Sequence, residues 1–522
     1  MLLVHLSAQS TLEWQHCLGG SQNEQANCVE QTQDGGYILA GWSLSTDGDI
    51  TGHHGTAATD YWVVKTSDTG SLLWEKSLGG NWEDQATAVR QTADNGFIVA
   101  GFTASANNGD VTGFHGGYDY WVVKLSSTGN LEWQKCLGGT STYGDKAYDI
   151  KQTTDGGYVV AGSTMSTDGD VTGHHGTLNN DDYWVVKLSP AGDLEWQKAL
   201  GGSDDDVARS VDQTADGGFI VAGNSESLDG DVTGHHSTAS NTDYWVVKLS
   251  SFGTIEWERS LGGTGNDNAN CVQQTTDGGY IVAGESFSMN DGDVTGHHGS
   301  LGNYDFWVTK LSASGALEWQ KCLGGNGGDL ARSVDQTDDG GYVLTGQSNS
   351  SNGDVTGSTP GNFLDLWAVK ISSTGALQSQ KTWGGTDSES GSSVQQTADG
   401  GYIMAGGTSS NDVAVSGNNG TWDYWLIKLS ADATSVMETG AHEFDITLTL
   451  SSEADQLLVR TEGPSANAQL MLFDALGSTV FSTNMVGSQH TVSIGSFNPG
   501  VYLVSLSGVN GVYHSRRFVK PW

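Results

Sequence analysis

Residues 147–202 read AYDIKQTTDGGYVVAGSTMSTDGDVTGHHGTLNNDDYWVVKLSPAGDLEWQKALGG, and this stretch decides the fold. Ala147 to Thr153 alternates in character and reads as a first strand. Asp155-Gly156-Gly157 supplies the positive φ of a tight hairpin turn. Tyr158 to Gly162 is a short apolar second strand. A long loop follows around Asp168-Gly169-Asp170-Val171-Thr172-Gly173-His174-His175-Gly176. Tyr183 to Ser189 forms a third strand, Pro190-Ala191-Gly192 a turn, and Leu194 to Leu200 a fourth strand. Apolar runs this short fit strands covered on both faces, and no segment carries a capped helical period.

The same unit returns along the chain. Its third-strand Trp recurs at Trp62, Trp121, Trp184, Trp245, Trp307, Trp367 and Trp425, at spacings between 58 and 63 residues. The second strand opens at Tyr37, Phe97, Tyr158, Phe219, Tyr280, Tyr342 and Tyr402. Leu-Glu-Trp recurs at Trp14, Trp133, Trp196, Trp257 and Trp319, with Trp74 in a variant, and Gly pairs such as Gly19-Gly20 and Gly138-Gly139 follow. A repeat of four antiparallel strands predicts an all-β fold, a seven-bladed β-propeller, because a ring of sheets hides its strand edges. A solenoid would need shorter repeats with fewer strands. The ends of the ring are less regular. Residues after Leu429 lack a fourth strand, which Leu12 to Leu18 could supply. Leu2 to Leu6 resembles an additional third strand and leaves an eight-bladed ring open.

Bulk properties limit the function classes. The chain has 522 residues, 75 of them Gly and only 5 Pro, a ratio foreign to collagen. It carries 18 Trp and 16 Tyr, so it folds despite a net charge of -39. That charge argues against nucleic acid or an anionic membrane surface as partner and favours cations. No apolar run approaches the length of a membrane span. The start shows neither the basic region nor the apolar core of a signal peptide, which suggests a fragment or a misassigned start.

The repeat resembles, in its turn-Gly-x-x-x-Trp segment, the propeller repeats of bacterial pyrroloquinoline-quinone dehydrogenases. It is more similar to repeats of secreted Bacteroidota-type proteins that carry Asp-Gly-Gly-Tyr-Ile-Val-Ala-Gly and Asp-Tyr-Trp-Val-Val-Lys-Leu. That likeness covers residues 1 to 430 and implies a fold and a secretory context. Residues 431–440 read as a linker, and 441–522 as a small β-sandwich. Its strand-like segments are Gln456–Thr461, Gln469–Asp474, Thr479–Ser482, Thr491–Ile494, Val501–Leu506 and Arg516–Lys520. This tail resembles the C-terminal sorting domain of the type IX secretion system, through Leu472-Phe473-Asp474-Ala475-Leu476-Gly477, Phe497-Asn498-Pro499-Gly500-Val501-Tyr502-Leu503-Val504 and Arg516-Arg517-Phe518-Val519-Lys520. The family's Tyr-Pro-Asn-Pro opening is absent, and Leu448 to Asp455 takes its place. The resemblance implies the type IX machinery as a partner, export, and an extracellular or outer-surface location.

Propeller geometry places the second-to-third-strand loops and the blade-to-blade crossings on one face. Those long loops carry Asp47/Asp49 with His53/His54, Asp168/Asp170 with His174/His175, Asp229/Asp231 with His235/His236, and Asp291/Asp293 with His297/His298, with partial copies at Asp110/His115 and Asp354. Alternating Asp oxygens around Gly suit calcium, although the spacing departs from the EF-hand pattern. The same residues also make Asx-turns. Both readings stand, and the His pairs suggest a transition metal only weakly. The repeated Trp residues pack blade against blade, whereas the non-repeated Trp42, Trp82 and Trp422 are candidates for stacking on a ligand. Cys17, Cys136 and Cys322 share one repeat position and Cys28 and Cys271 another, so only Cys17 and Cys28 could bridge, and free thiols are expected. No catalytic motif is found. The reading is a non-enzymatic, secreted or cell-surface binding module that offers its long-loop face to a glycan or protein. Two alternatives are a carbohydrate-active or other hydrolase working in the central funnel and an adhesive spacer.

Overall fold

A computed structural model describes residues 10–55, 57–177, 179–237, 240–299, 302–358 and 363–432. In the C-terminal unit it describes 445–450, 456–462, 466–473, 479–486, 489–497, 500–507 and 513–520. Leu2 to Leu6, most of the linker, the Asp474-Ala475-Leu476-Gly477 segment and Asn498-Pro499 lie outside the described residues. The chain divides into two compact units, Gln9–Asp432 and a second that holds Ala433–Trp522.

In the first unit, seven antiparallel sheets of four strands each form the blades. Blade 3 is typical: Asp145–Gln152, Tyr158–Thr164, Asp182–Leu188 and Leu194–Leu200, in that order across the sheet. Blades 1 to 6 run over Glu24–Leu78, Asp84–Leu137, Asp145–Leu200, Asp206–Leu261, Asp267–Leu323 and Asp329–Trp383. Blade 7 takes three strands from Glu389–Leu429 and its fourth from Leu12–Leu18 at the other end of the chain, pairing Gln15 with Ile427 and Leu18 with Tyr424. The ring therefore closes at seven. Among the described residues no helix is long and apolar enough to cross a membrane.

The core lies between blades. The second and third strands of blade 3 are buried along their whole length, while the outer half of its fourth strand is exposed. All seven repeated Trp side chains are fully buried. Each donates its indole N–H to a fourth-strand Gln or Glu, as Trp184 does to Gln197 at 2.8 Å; in blade 7 Trp425 donates across the chain ends to Gln15 at 2.8 Å. Neighbouring blades are pinned by the preceding Tyr. Tyr120 stacks on Trp184 at 4.5 Å and donates its hydroxyl to the Trp184 carbonyl at 2.8 Å. Tyr424 makes the same bond to Trp62 across the closure, at 2.9 Å. Blade 5 carries Phe306 at this position and keeps only the ring contact, 4.5 Å from Trp367, and blade 6 carries Leu366, which can supply neither. Tyr120→Phe should accordingly cost about 1 kcal/mol, the worth of one buried hydrogen bond. Denaturant unfolding checks this, and an unchanged midpoint would mean that stacking alone joins the blades.

Two further rings repeat seven times. The third-strand Lys pairs with the Asp of the hairpin turn in its own blade, as Lys124 does with Asp94 at 3.0 Å and Lys187 with Asp155 at 3.0 Å. The last Gln of each innermost strand accepts the N–H of the preceding blade's turn, from Gln33 N–H to Gln91 at 2.8 Å round to Ala398 N–H to Gln31 at 2.8 Å. Each innermost strand also carries a β-bulge, in blade 3 between Ala147 and Asp149. A bulge shifts the alternation of side chains by one residue.

The C-terminal unit is a β-sandwich. Asp445–Leu450, Gln456–Glu462 and Gln489–Ser493 form one sheet; Ala466–Phe473, Thr479–Val486, Gly500–Ser507 and Tyr513–Lys520 form the other. Leu457, Val459 and Val492 from the first sheet meet Leu470, Leu472, Tyr502 and Val504 from the second in its core. Asp445–Leu450 is a strand that the sequence reading did not include, although Ile-Thr-Leu-Thr-Leu alternates as a half-buried strand should.

Candidate functional site

All ten candidate Asp residues of the long loops face inward, onto the crossing that enters their own blade. The first Asp of each loop accepts the N–H of the residue after the Gly pair: Asp47 from Ser21 at 2.8 Å, Asp168 from Thr140 at 2.7 Å, Asp229 from Ser203 at 2.8 Å and Asp291 from Thr264 at 3.1 Å. The second Asp accepts the N–H of the first Gly. Asp49 takes Gly19 at 3.1 Å, Asp110 takes Gly79 at 3.3 Å, Asp170 takes Gly138 at 3.2 Å, Asp231 takes Gly201 at 3.4 Å, Asp293 takes Gly262 at 3.4 Å and Asp354 takes Gly324 at 3.3 Å. Among the described residues no group of three or more His, Cys, Asp or Glu gathers around a point where a metal could sit.

The His pairs divide by role. His53, His174 and His235 place Nε2 against the Ser43, Asn180 and Ser225 carbonyls at 3.2, 3.0 and 3.0 Å. His297 is buried, and neither of its ring nitrogens has a hydrogen-bond partner among the described residues. The second His bridges two blades. His54 places Nδ1 3.0 Å from Asp60 and Nε2 3.7 Å from Asp110 of the next blade. His175 and His236 do the same with Asp182 and Asp231 and with Asp243 and Asp293, and His298 with Asp305 and Asp354. His115, which has no His neighbour, joins Asp119 to Asp170.

Behind each bridge lies a buried carboxylate pair. Asp243, which opens a third strand, and Asp267, which opens the next blade, both crowd the Cα of Gly262: a Cβ there would meet their oxygens at 2.8 and 2.6 Å. The arrangement repeats as Asp60/Asp84, Asp119/Asp145, Asp182/Asp206, Asp305/Asp329, Asp365/Glu389 and Asp423/Glu24, each around the first Gly of a pair. Asp84 is held by the Thr103 hydroxyl, by the Ser105 hydroxyl at 2.9 Å and by Gly80 N–H at 2.7 Å. Asp60 Oδ1, Asp119 Oδ1, Asp182 Oδ1, Asp243 Oδ1, Asp305 Oδ1 and Asp423 Oδ1 are buried with no donor among the described residues. Burial first, then the neighbouring carboxylate, pushes Asp84 and Asp206 up to about 7 and Asp267 and Asp329 up to about 6.

The other concentration of polar groups is the central channel. Where the innermost strands run out toward the short-turn face, a cavity of about 460 Å³ is lined by Glu30, Arg90, Asp149, Lys151, Asp335 and Cys271, together with Ser, Gln and Val side chains of the same strands. Arg90 donates to Asp149 at 2.8 Å, lies 3.8 Å from Glu30 and bonds Cys28 Sγ at 2.8 Å. Asp149 also accepts from Ser210 Oγ at 3.2 Å and Val211 N–H at 3.1 Å. Burial pushes Glu30 and Asp335 above the usual carboxylate range, with Arg90 and Lys151 pulling Glu30 back and Lys151 acting the same way on Asp335.

These channel residues were absent from the sequence-derived candidates. A signal was present near the end of the innermost strand, where the columns Glu30, Arg90, Lys151, Asp212, Gln273, Asp335, Gln395 and Cys28, Ala88, Asp149, Ser210, Cys271, Ser333, Ser393 break the repetition. A second break lies at the start of the same strands, where Arg209 sits 4.3 Å over Tyr148 and Lys146 4.2 Å over Tyr118. Of the aromatic candidates, Trp82 is 63% exposed, Trp42 is half-buried, and Trp422 is half-buried with its N–H donated to Gln25 at 2.7 Å. All five cysteines are free thiols, Cys17 and Cys28 included.

No protein-family model matches the chain. No curated protein matches it either. Among solved structures it is similar to a fungal alcohol oxidase in complex with copper, at 13% identity and a TM-score of 0.40 over 99% of this chain and 100% of that one. It is similar to puromycin hydrolase at 10% identity and a TM-score of 0.44, over 84% of this chain and 59% of that one. It is also similar to PorZ, a surface component of the type IX secretion system of Porphyromonas gingivalis, at 10% identity and a TM-score of 0.30, over 93% of this chain and 69% of that one.

Proposed function

We propose that this chain is an exported binding module whose propeller takes a small polar ligand in its central channel. The observation that carries this reading is the break of sevenfold repetition on the channel wall. Two columns that reach the cavity, from Glu30 to Gln395 and from Cys28 to Ser393, vary in charge and hydrogen-bonding capacity, which a purely structural ring does not need. A rigid scaffold with variable residues converging on one cavity is the usual build of a ligand site. Export rests on the resemblance of residues 441–522 to a type IX sorting domain. The segments that carry it, Phe473 with Leu472, Val501 to Val504, and Arg516 to Lys520, fall on neighbouring strands of one sheet.

The test is thermal unfolding against a panel of sugars, sugar acids and amino acids. A channel ligand should raise the midpoint with concentration, since it binds only the native state. Ser333→Phe, which fills the cavity, should abolish the shift, while His175→Ala on the opposite face should leave it. A shift that survives Ser333→Phe and disappears in His175→Ala would move the binding site back to the long loops. A second reading, a hydrolase in the same channel, is favoured by the coexistence of Glu30, raised by burial, with Asp149, which is ion-paired to Arg90. Turnover of chromogenic glycosides that is lost in Glu30→Gln would establish it.

A further inference from the structure

One ring of hydrogen bonds in the channel is incomplete, and the gap carries the inference. At the end of each innermost strand the N–H of the final Gln faces the channel wall. In five blades a side chain from the preceding blade caps it. Glu30 caps Gln91 at 3.1 Å, Asp212 caps Gln274 at 3.1 Å, Gln273 caps Gln336 at 2.8 Å, Asp335 caps Gln396 at 2.8 Å and Gln395 caps Gln31 at 2.7 Å. The two remaining N–H groups, of Gln152 and Gln213, sit in the same strand register. Their capping positions hold Arg90 and Lys151, which possess no acceptor. The two gaps are adjacent in the ring, and they coincide with its only two cations. Arg90 is neutralised by Asp149 and Glu30. Lys151 is half-buried, lines the cavity, and makes no ion pair or hydrogen bond among the described residues.

Resting on the reading of the channel as a ligand site, we infer that Lys151 with the Gln213 and Gln152 N–H groups forms an oxyanion site that receives the carboxylate of a small hydroxylated monoacid, of the size and class of a sugar acid. Two backbone N–H donors and an ammonium match the two oxygens of a carboxylate. The rest of the wall selects against higher charge: Glu30, Asp149 and Asp335 would repel a phosphate dianion. The Ser and Gln groups at the same level suit hydroxyls, and the volume admits a molecule of that size.

The experiment is calorimetric titration of the full chain with glucuronate, glucose and inorganic phosphate. Glucuronate should bind at least tenfold more tightly than either of the others. Lys151→Glu is the decisive variant, because it gives blade 3 the same cap that Glu30 provides in blade 1. It should lose glucuronate binding by tenfold or more, while Lys151→Arg retains it. Equal binding of glucose and glucuronate, both abolished by Ser333→Phe, would overturn the oxyanion site and leave the channel reading standing. Phosphate binding more tightly than glucuronate, or Lys151→Glu binding as well as the parent, would also overturn the site. No saturable binding of any probe overturns the sugar-acid assignment, and the wider panel under Proposed function then decides the channel reading separately.

Discussion

A chain that starts at Gly19 is expected to lose the cooperative unfolding of the propeller and to aggregate. Residues 12–18 are the fourth strand of blade 7, and nothing after Leu429 among the described residues replaces them. Their removal strips the partner from Asp423–Leu429, a strand buried along its whole length, and exposes an unpaired strand edge. It also removes the Gln15 acceptor of the Trp425 indole, and the packing of Trp14 against Tyr37 of blade 1 at 5.7 Å. An orphaned buried donor costs about 1–3 kcal/mol by itself, and the lost apolar contacts add to that. A synthetic peptide of residues 9–20 should restore folding by adding the missing strand, as sheet edges accept strands from other chains. Calorimetry of the truncated chain with and without peptide reads both effects. An unchanged melting profile for the truncated chain would show that the blade 7 closure does not hold the ring.

The second large effect is a stability that falls as pH rises from about 5 to 8. Seven blade junctions each bury two carboxylates. The groups facing Asp60 are His53 and His54 of its own blade and Asp84 of the next, and His54 in turn faces Asp110. Burial and then mutual repulsion hold Asp84 and Asp206 near 7, and burial foremost holds Asp119 and Asp423 near 6. Between the ordinary Asp value and these, the native chain keeps protons that the unfolded chain has released. Stability must then decrease with rising pH across that interval. One pKa unit is about 1.4 kcal/mol. Acting across the ring, such shifts correspond to a midpoint roughly ten degrees lower at pH 8 than at pH 5.

At the acid end the sign reverses. Although burial opposes it, bonds from Thr92, Gly96 and Lys124 hold Asp94 at about 2, and Asp155, Asp216 and Asp277 are held there in the same way. Their contribution is complete above the ordinary Asp value and is lost as pH falls through 2. The optimum therefore lies close to the ordinary Asp value, at about pH 4. Asp60→Asn places an N–H where the unpaired Oδ1 now faces Asp84, and should reduce the proton uptake derived from the pH dependence of unfolding by one. A midpoint as high at pH 8 as at pH 5 would show that the pairs do not share protons.

Much of this was legible before any tertiary structure. The seven Trp positions, the Gly turns and the missing fourth strand after Leu429 each follow from what one blade requires of its own residues. A blade is local, so its pattern repeats visibly. The candidate site was less legible, for two physical reasons. First, the bulge between Ala147 and Asp149 shifts the alternation of the innermost strand, so a period-two reading does not tell which side chains reach the channel. Second, the groups that matter meet across blades. Asp60 pairs with Asp84, and Glu30 caps Gln91, through contacts between different repeats that no spacing within one repeat encodes. The sequence by itself determined the repeat, the strand order and the residues that fill the space between blades, because periodic burial writes those into every copy. Only the tertiary structure decided that the loop Asp residues clamp the blade crossings, that carboxylates pair behind them, and that Lys151 lines the channel with no ion pair among the described residues, because closing the ring is what brings those copies together.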